Sequence, residues 1–235
     1  MWSGPRNIST AMMRAWENRS DTVVVDEPFY AAYLARTPGS RGDHPGRDDV
    51  LASQPTDPAE VVAALAAPLP SGVEVQYVKH MTHHLLPEDD LAWARPLRNV
   101  LLIRTPDEVV ASYLRSREVC EPEDIGILQQ ERLLDELGEM PIVDAADFLR
   151  DPESYLRWLC DWLGIAFTDQ MLSWPAGPRE SDGVWAPHWY DAVWASTGFD
   201  PYHPRGVHLD ARGESVVEAV LPAYERMYAQ RLVLR

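Results

Sequence analysis

Short β-branched or leucine-rich runs punctuate the chain, and helical spacings fill the intervals between them. Residues 22–25 (Thr-Val-Val-Val) form one run, stopped by Asp26-Glu27-Pro28. Residues 73–79 (Val-Glu-Val-Gln-Tyr-Val-Lys) alternate, Val100 to Ile103 is continuously apolar, and Pro141-Ile142-Val143 is a shorter candidate. Each reads as a strand, the continuous runs as buried ones. Helical spacing is predicted over 11–16, 29–36, 58–67, 105–117, 122–138 and 213–230, the last with Pro222 as a kink. A strongly amphipathic pattern follows Asp151-Pro152-Glu153: Tyr155, Leu156, Leu159, Trp162 and Leu163 stand at helical spacing and Gly164 closes the helix. Strands separated by helices predict an α/β fold with a mostly parallel sheet flanked by helices. Two stretches break the alternation. Residues 37–58 are rich in Pro, Gly, Asp and Arg and read as a surface loop or lid. Residues 165–212 are irregular and hold Trp174, Trp185, Trp189 and Trp194. The span 1–235 reads as one domain, large enough to bury a sizeable core.

Charge narrows the partners. With 21 basic and 37 acidic residues the net charge is −16, which argues against nucleic acid or an anionic membrane as the main partner. No apolar run approaches the roughly 18 residues of a membrane span and nothing resembles a signal peptide, so a cytoplasmic protein is expected. Cys120 and Cys160 form no C-x-x-C pair and read as free thiols. Lys79 is the only lysine of the chain.

The chemistry gathers where strands end. Asp26-Glu27, Lys79-His80 and Arg104 each follow a strand candidate, and in open parallel sheets ligands bind beyond those carboxyl ends. The opening stretch Trp2-Ser3-Gly4-Pro5-Arg6-Asn7-Ile8-Ser9-Thr10 adds a glycine-proline turn, an arginine and two hydroxyls at the mouth of a helix. Such a mouth directs N–H groups and a positive dipole at an anion, and a guanidinium fork suits phosphate or sulfate. The same hydroxyls also fit an ordinary capped helix. His80, His83 and His84 show no third metal ligand at fitting spacing, so no metal is expected.

Taken together, Pro5-Arg6, Ser9-Thr10 and the segment Arg104-Thr105-Pro106 through Ser112 resemble the sulfotransferase family that uses 3′-phosphoadenosine 5′-phosphosulfate. The resemblance is specific over 104–112, which keeps the Arg, the Pro, the Ser and their eight-residue spacing, and weaker after residue 165. Asp151-Pro152 and Trp162-Leu163-Gly164 resemble a scaffold segment of the family, and Arg179 with Gly183 and Trp185 resembles its late cofactor-covering loop.

The resemblance implies a three-layer fold like that of P-loop NTPases. It places Gly4, Pro5, Arg6, Asn7, Ser9 and Thr10 around the 5′-phosphosulfate, Arg104 and Ser112 on the 3′-phosphate, and Arg179 in the covering segment 165–212. Arg6 and Lys79 would neutralise charge on the bridging oxygen, and Glu27 or His80 would deprotonate the acceptor. The first loop starts at residue 2 and leaves no room for the central strand that should precede it, so either the true start lies upstream, the favoured expectation, or the sheet lacks its middle strand, with fold and activity compromised. The expected function is sulfuryl transfer to a hydroxyl or amine of a small-molecule acceptor. The absence of Gly-x-x-x-x-Gly-Lys-Ser/Thr disfavours ordinary nucleoside triphosphate hydrolysis; the alternatives are a P-loop phosphotransferase acting on a small nucleotide or metabolite, and an inactive nucleotide-binding domain. The sequence leaves the oligomeric state open.

Overall fold

The computed structural model describes residues 1–37, 44–204 and 206–234. Among these, five strands form one parallel sheet in the order β2-β3-β1-β4-β5. They are β1 (Trp2–Ser3), β2 (Thr22–Asp26), β3 (Val75–Met81), β4 (Leu101–Ile103) and β5 (Ile142–Asp144). The central strand is therefore present, correcting the expectation of its absence. It is only two residues long, yet it pairs on both sides: Trp2 lies opposite His80 and Leu101, Ser3 opposite Met81 and Leu102. The ladder begins one residue earlier, where the Met1 nitrogen donates to the Val78 carbonyl and the Met1 carbonyl accepts from His80. Pairing on both edges lets so short a strand hold the middle of a sheet.

Alternation along the strands sends side chains to two cores. Trp2, Leu101, Ile103 and Ile142 pack on one face with α5 (Pro106–Leu114), α6 (Ile127–Leu137) and α11 (Ala211–Ala229). Tyr77, Leu102 and Val143 pack on the other with α1 (Ser9–Glu17) and α8 (Pro152–Leu163). This is the expected three-layer arrangement. Asp151 caps α8 by accepting from the Ser154 N–H, and Gly164 closes it in the left-handed region, as the pattern predicted.

A smaller cluster joins α2 (Tyr30–Arg36) and α3 (Arg47–Ser53) to α9 (Ala186–Trp189). Helix α3 lies inside the stretch expected to be a loop; residues 38–43 of that stretch fall outside the described residues. Further along are α4 (Pro58–Leu65), α7 (Ala145–Arg150) and α10 (Asp191–Ala195). Among the described residues of 165–212 the long segments stay irregular, tied by an antiparallel bridge between Ser173 and Gly198. Both cysteines are free and buried. Among the described residues no helix is long and apolar enough to cross a membrane.

The loop after β1 is clamped from below. A Cβ on Gly4 would sit 2.4 Å from the Ile125 carbonyl oxygen, and one on Gly126 2.4 Å from Thr82 Oγ1. Thr82 Oγ1 in turn donates to the Gly126 carbonyl at 2.9 Å. Backbone, not a flexible tip, opposes a side chain at Gly4. We expect Gly4→Ala to lower stability by about 1–3 kcal/mol, the usual cost of overpacking; a chemical-denaturation midpoint equal to wild type would contradict this tight approach.

Candidate active site

Beyond the carboxyl ends of β1, β2, β3 and β4 lies a cavity of about 690 Å³. Pro5, Arg6, Asn7, Ser9, Thr10, Glu27, Lys79, Arg104 and Ser112 all line it, so most of the sequence-predicted site residues converge. Gly4, His80 and Arg179 do not line it.

One end is cationic. Arg6 Nε donates to Ser112 Oγ at 3.1 Å, joining the first loop to the second motif across 106 residues. Arg115 Nη2 donates to the same oxygen at 2.9 Å. Arg104 Nη1 donates to the Arg6 carbonyl at 2.9 Å while its Nε is held by Glu108 at 2.8 Å, and Glu108 also accepts from the Tyr202 hydroxyl at 3.1 Å. The eight-residue Arg-to-Ser spacing works because Arg104 follows the end of β4 and Ser112 points back from within α5. Arg6 occupies the left-handed region at φ 56°, a conformation that costs a non-glycine residue about 1–3 kcal/mol and recurs at ligand-binding loops. Burial above all, then the positive charges of Arg115 and Arg104, disfavour its charged form. Ser9 and Thr10 open α1, whose N-cap residue Ile8 makes no side-chain cap. Asn7 turns inward, donating to the Leu102 carbonyl at 3.1 Å and accepting from the Ile8 N–H at 2.8 Å. Among the described residues of this end, cations outnumber carboxylates, a donor set suited to a multiply charged anion.

The other end holds a buried acid–base cluster. The register of β2 on β3 puts Asp26 beside Lys79. Lys79 Nζ donates to Asp26 Oδ1 at 2.9 Å, to Glu27 Oε1 at 2.6 Å and to the Tyr190 hydroxyl at 2.6 Å. The Tyr190 hydroxyl donates onward to Asp26 Oδ2 at 2.7 Å, and Trp185 Nε1 donates to it at 3.1 Å. Lys79 is raised above its ordinary value although burial alone would lower it, because two carboxylates hold its proton. Glu27 is also raised: burial disfavours its charge, the attraction of Lys79 opposes that, and the neighbouring Asp26 adds to it. Glu27 lies at φ 42°, a second non-glycine residue in the left-handed region.

His80 stands apart. One residue beyond Lys79 in a strand, it faces the opposite side, stacked on Trp2 with ring centroids 3.9 Å apart and close to Phe29 and Trp93. Burial pushes it well below the ordinary histidine value. His83 and His84 do line the cavity; His84 is stacked between Tyr30 and Tyr33, and burial lowers His83 to about 3 and His84 well below the ordinary histidine value. Among the described residues no three His, Cys, Asp or Glu side chains group as metal ligands.

Gly4 acts beneath the loop, as described above. Arg179 bonds through its backbone N–H to Asp182, a residue that also pairs with Arg14. The late segment reaches the site instead through Tyr190, Trp185 and the Gly183 N–H, which donates to Asp26 Oδ2 at 3.2 Å. Gly183 has no room for a side chain against the Trp185 ring. Sequence reasoning missed Arg115 and Tyr190. Arg115 was findable, since three residues after Ser112 is one helical turn on the same face; Tyr190 sits in an irregular segment without any spacing signal.

The chain is 36% identical over 234 residues to branched-chain-amino-acid aminotransferase-like protein 1 of Arabidopsis thaliana and 33% identical over 230 residues to the like protein 2 of that plant. Each alignment takes in 95% of this chain and 40% of the relative, so the chain spans about two fifths of their length. Among solved structures, the fold resembles a sulfotransferase domain from the curacin biosynthetic pathway (TM-score 0.55, 14% identity, 94% of this chain and 95% of that one). It also resembles a sulfotransferase from Alicyclobacillus acidocaldarius (TM-score 0.57, 14% identity, 99% and 95%). The family model described as the sulfotransferase domain matches residues 1–231, and the chain belongs to that family.

Proposed function

We propose that this chain transfers a sulfuryl group from 3′-phosphoadenosine 5′-phosphosulfate to a hydroxyl or amine of a small-molecule acceptor. The observation that carries the reading is the junction of Arg6, Ser112 and Arg104, which joins the two anion-binding motifs at the mouth of one cavity that also contains Glu27. The donor nucleotide supplies the activated sulfuryl group; the chain's residues bind, orient and move a proton. Arg104 and Ser112 hold the 3′-phosphate. Both lone pairs of the Ser112 hydroxyl already accept from guanidiniums, which leaves its O–H free to donate to an anion. Arg6 and the N–H groups of the first turn of α1 face the 5′ end, where charge grows on the leaving oxygen.

Glu27 is the base of this scheme. With Asp26 and Lys79 it forms a buried group carrying one net negative charge, and taking a proton from the acceptor discharges it. Lys79 orients Glu27 and is not a free cation for the leaving oxygen. The aminotransferase in the relatives' names does not come to this stretch in our reading: Schiff-base chemistry needs a lysine that releases its proton, and the single lysine is held charged by two carboxylates.

The test compares thermal stabilisation by adenosine 3′,5′-bisphosphate, adenosine 5′-monophosphate and ATP–magnesium. A ligand at a hundred times its dissociation constant stabilises by about 2.7 kcal/mol. The bisphosphate is expected to bind tightest; equal response to the monophosphate would sink the sulfotransferase reading, and preference for ATP–magnesium would favour a phosphotransferase. Arg104→Ala should cut the preference for the 3′-phosphate by about tenfold to a hundredfold, the worth of a charged hydrogen bond, with calorimetry as the readout.

A further inference from the structure

Arg115 ends α5 at its C-cap, one turn past Ser112, in a chain whose acids exceed its bases by sixteen. It is exposed. Its guanidinium nevertheless turns over the rim of the cavity to the hydroxyl that Arg6 already engages, at 2.9 Å against 3.1 Å. Arg104 joins the same spot through the Arg6 carbonyl. Among the described residues, only Arg104 of the three has a carboxylate partner, Glu108. Two unneutralised guanidiniums sharing one hydroxyl repel each other, and the positive charge of Arg115 is one of the causes that disfavour the charged form of Arg6. An oxyanion with several oxygens, set between them, turns that repulsion into binding.

We infer that Arg115 is a third ligand of the 3′-phosphate, beside Arg104 and Ser112, supplying from α5 the cation that Arg179 does not bring to the cavity. The inference rests on the nucleotide reading of the cavity given above. A phosphate with three peripheral oxygens then meets the remaining fork of Arg104, the O–H of Ser112 and Arg115, all carried by β4 and the helix that follows it. Recognition of the 3′-phosphate is in this way built from one strand–helix unit.

Calorimetric titration of wild type, Arg115→Gln and Arg115→Lys with adenosine 3′,5′-bisphosphate and adenosine 5′-monophosphate tests this. Arg115→Gln should weaken the bisphosphate about tenfold or more and leave the monophosphate within about twofold. Arg115→Lys should recover part of the loss, as a point charge without the planar fork. Undiminished bisphosphate affinity in Arg115→Gln, or an equal loss for both nucleotides, overturns the assignment. Should wild type fail to discriminate the two nucleotides, the nucleotide reading itself falls. Inorganic phosphate then becomes the probe: weaker binding by Arg115→Gln retains Arg115 as an anion ligand, and unchanged binding removes it.

Discussion

Glu27→Gln should lower kcat by about 10²–10⁴, the range for loss of a positioned general base, while adenosine 3′,5′-bisphosphate binds as before. The amide keeps the volume of the carboxyl but cannot take a proton. The direction of the pH dependence follows from the raised Glu27 carboxyl. Only its ionised form is a base, so wild-type kcat/KM should climb as pH rises through a value above the ordinary 4.5 of a glutamate. That limb should disappear in Glu27→Gln. His80→Gln is the matched control. Its ring is stacked on Trp2 outside the cavity, so the variant should lose stability and keep the pH profile. A Glu27→Gln enzyme with full activity, or a His80→Gln enzyme that folds normally and has lost the acidic limb, would reverse the assignment of the base.

What the sequence revealed and what it hid divide along physical lines. Arg104 and Ser112 were legible because a strand end and a helix face fix their separation, and the structure brings both to Arg6. Helix α8 was legible from its apolar face, its Asp151 cap and Gly164. The two-residue β1 was not: it is too short for any periodicity, and its existence depends on β3 and β4 lying on either side of it. Helix α3 was hidden by the prolines and glycines around it, since Gly46 serves as its left-handed N-cap. The placement of His80 follows from strand alternation alone, because a residue adjacent to Lys79 must face the other core. Treating both as strand-end chemistry overlooked that. Tyr190 lay beyond reach for another reason: its partners Asp26 and Lys79 are more than a hundred residues away, and only the folded segment 183–190 brings it to them.

Lys79→Met should destabilise the protein by about 3–5 kcal/mol at neutral pH, the cost of breaking a buried ion pair by removing one partner. Methionine replaces the stem of the lysine well, so lost packing contributes little. What remains among the described residues is two carboxylates, Asp26 and Glu27, with no cation between them and the Tyr190 hydroxyl and the Gly183 N–H as their donors. Because Lys79 now pulls the Glu27 carboxyl downward, its removal should drive that group further above its unfolded value. A folded state that binds more protons than the unfolded one loses stability as pH rises. The deficit of Lys79→Met relative to wild type should therefore widen as pH rises from the wild-type Glu27 value to the higher value of the variant, and stay level on either side of that window. Adding Glu27→Gln to Lys79→Met should recover part of the loss, since one unpaired charge is gone. Denaturation midpoints of wild type, both single variants and the double variant across this range decide the matter. A deficit independent of pH, or a double variant weaker than the single one by the full effect of Glu27→Gln alone, would mean that Lys79 serves as packing and that the cluster does not hold Glu27 in the state its proposed role requires.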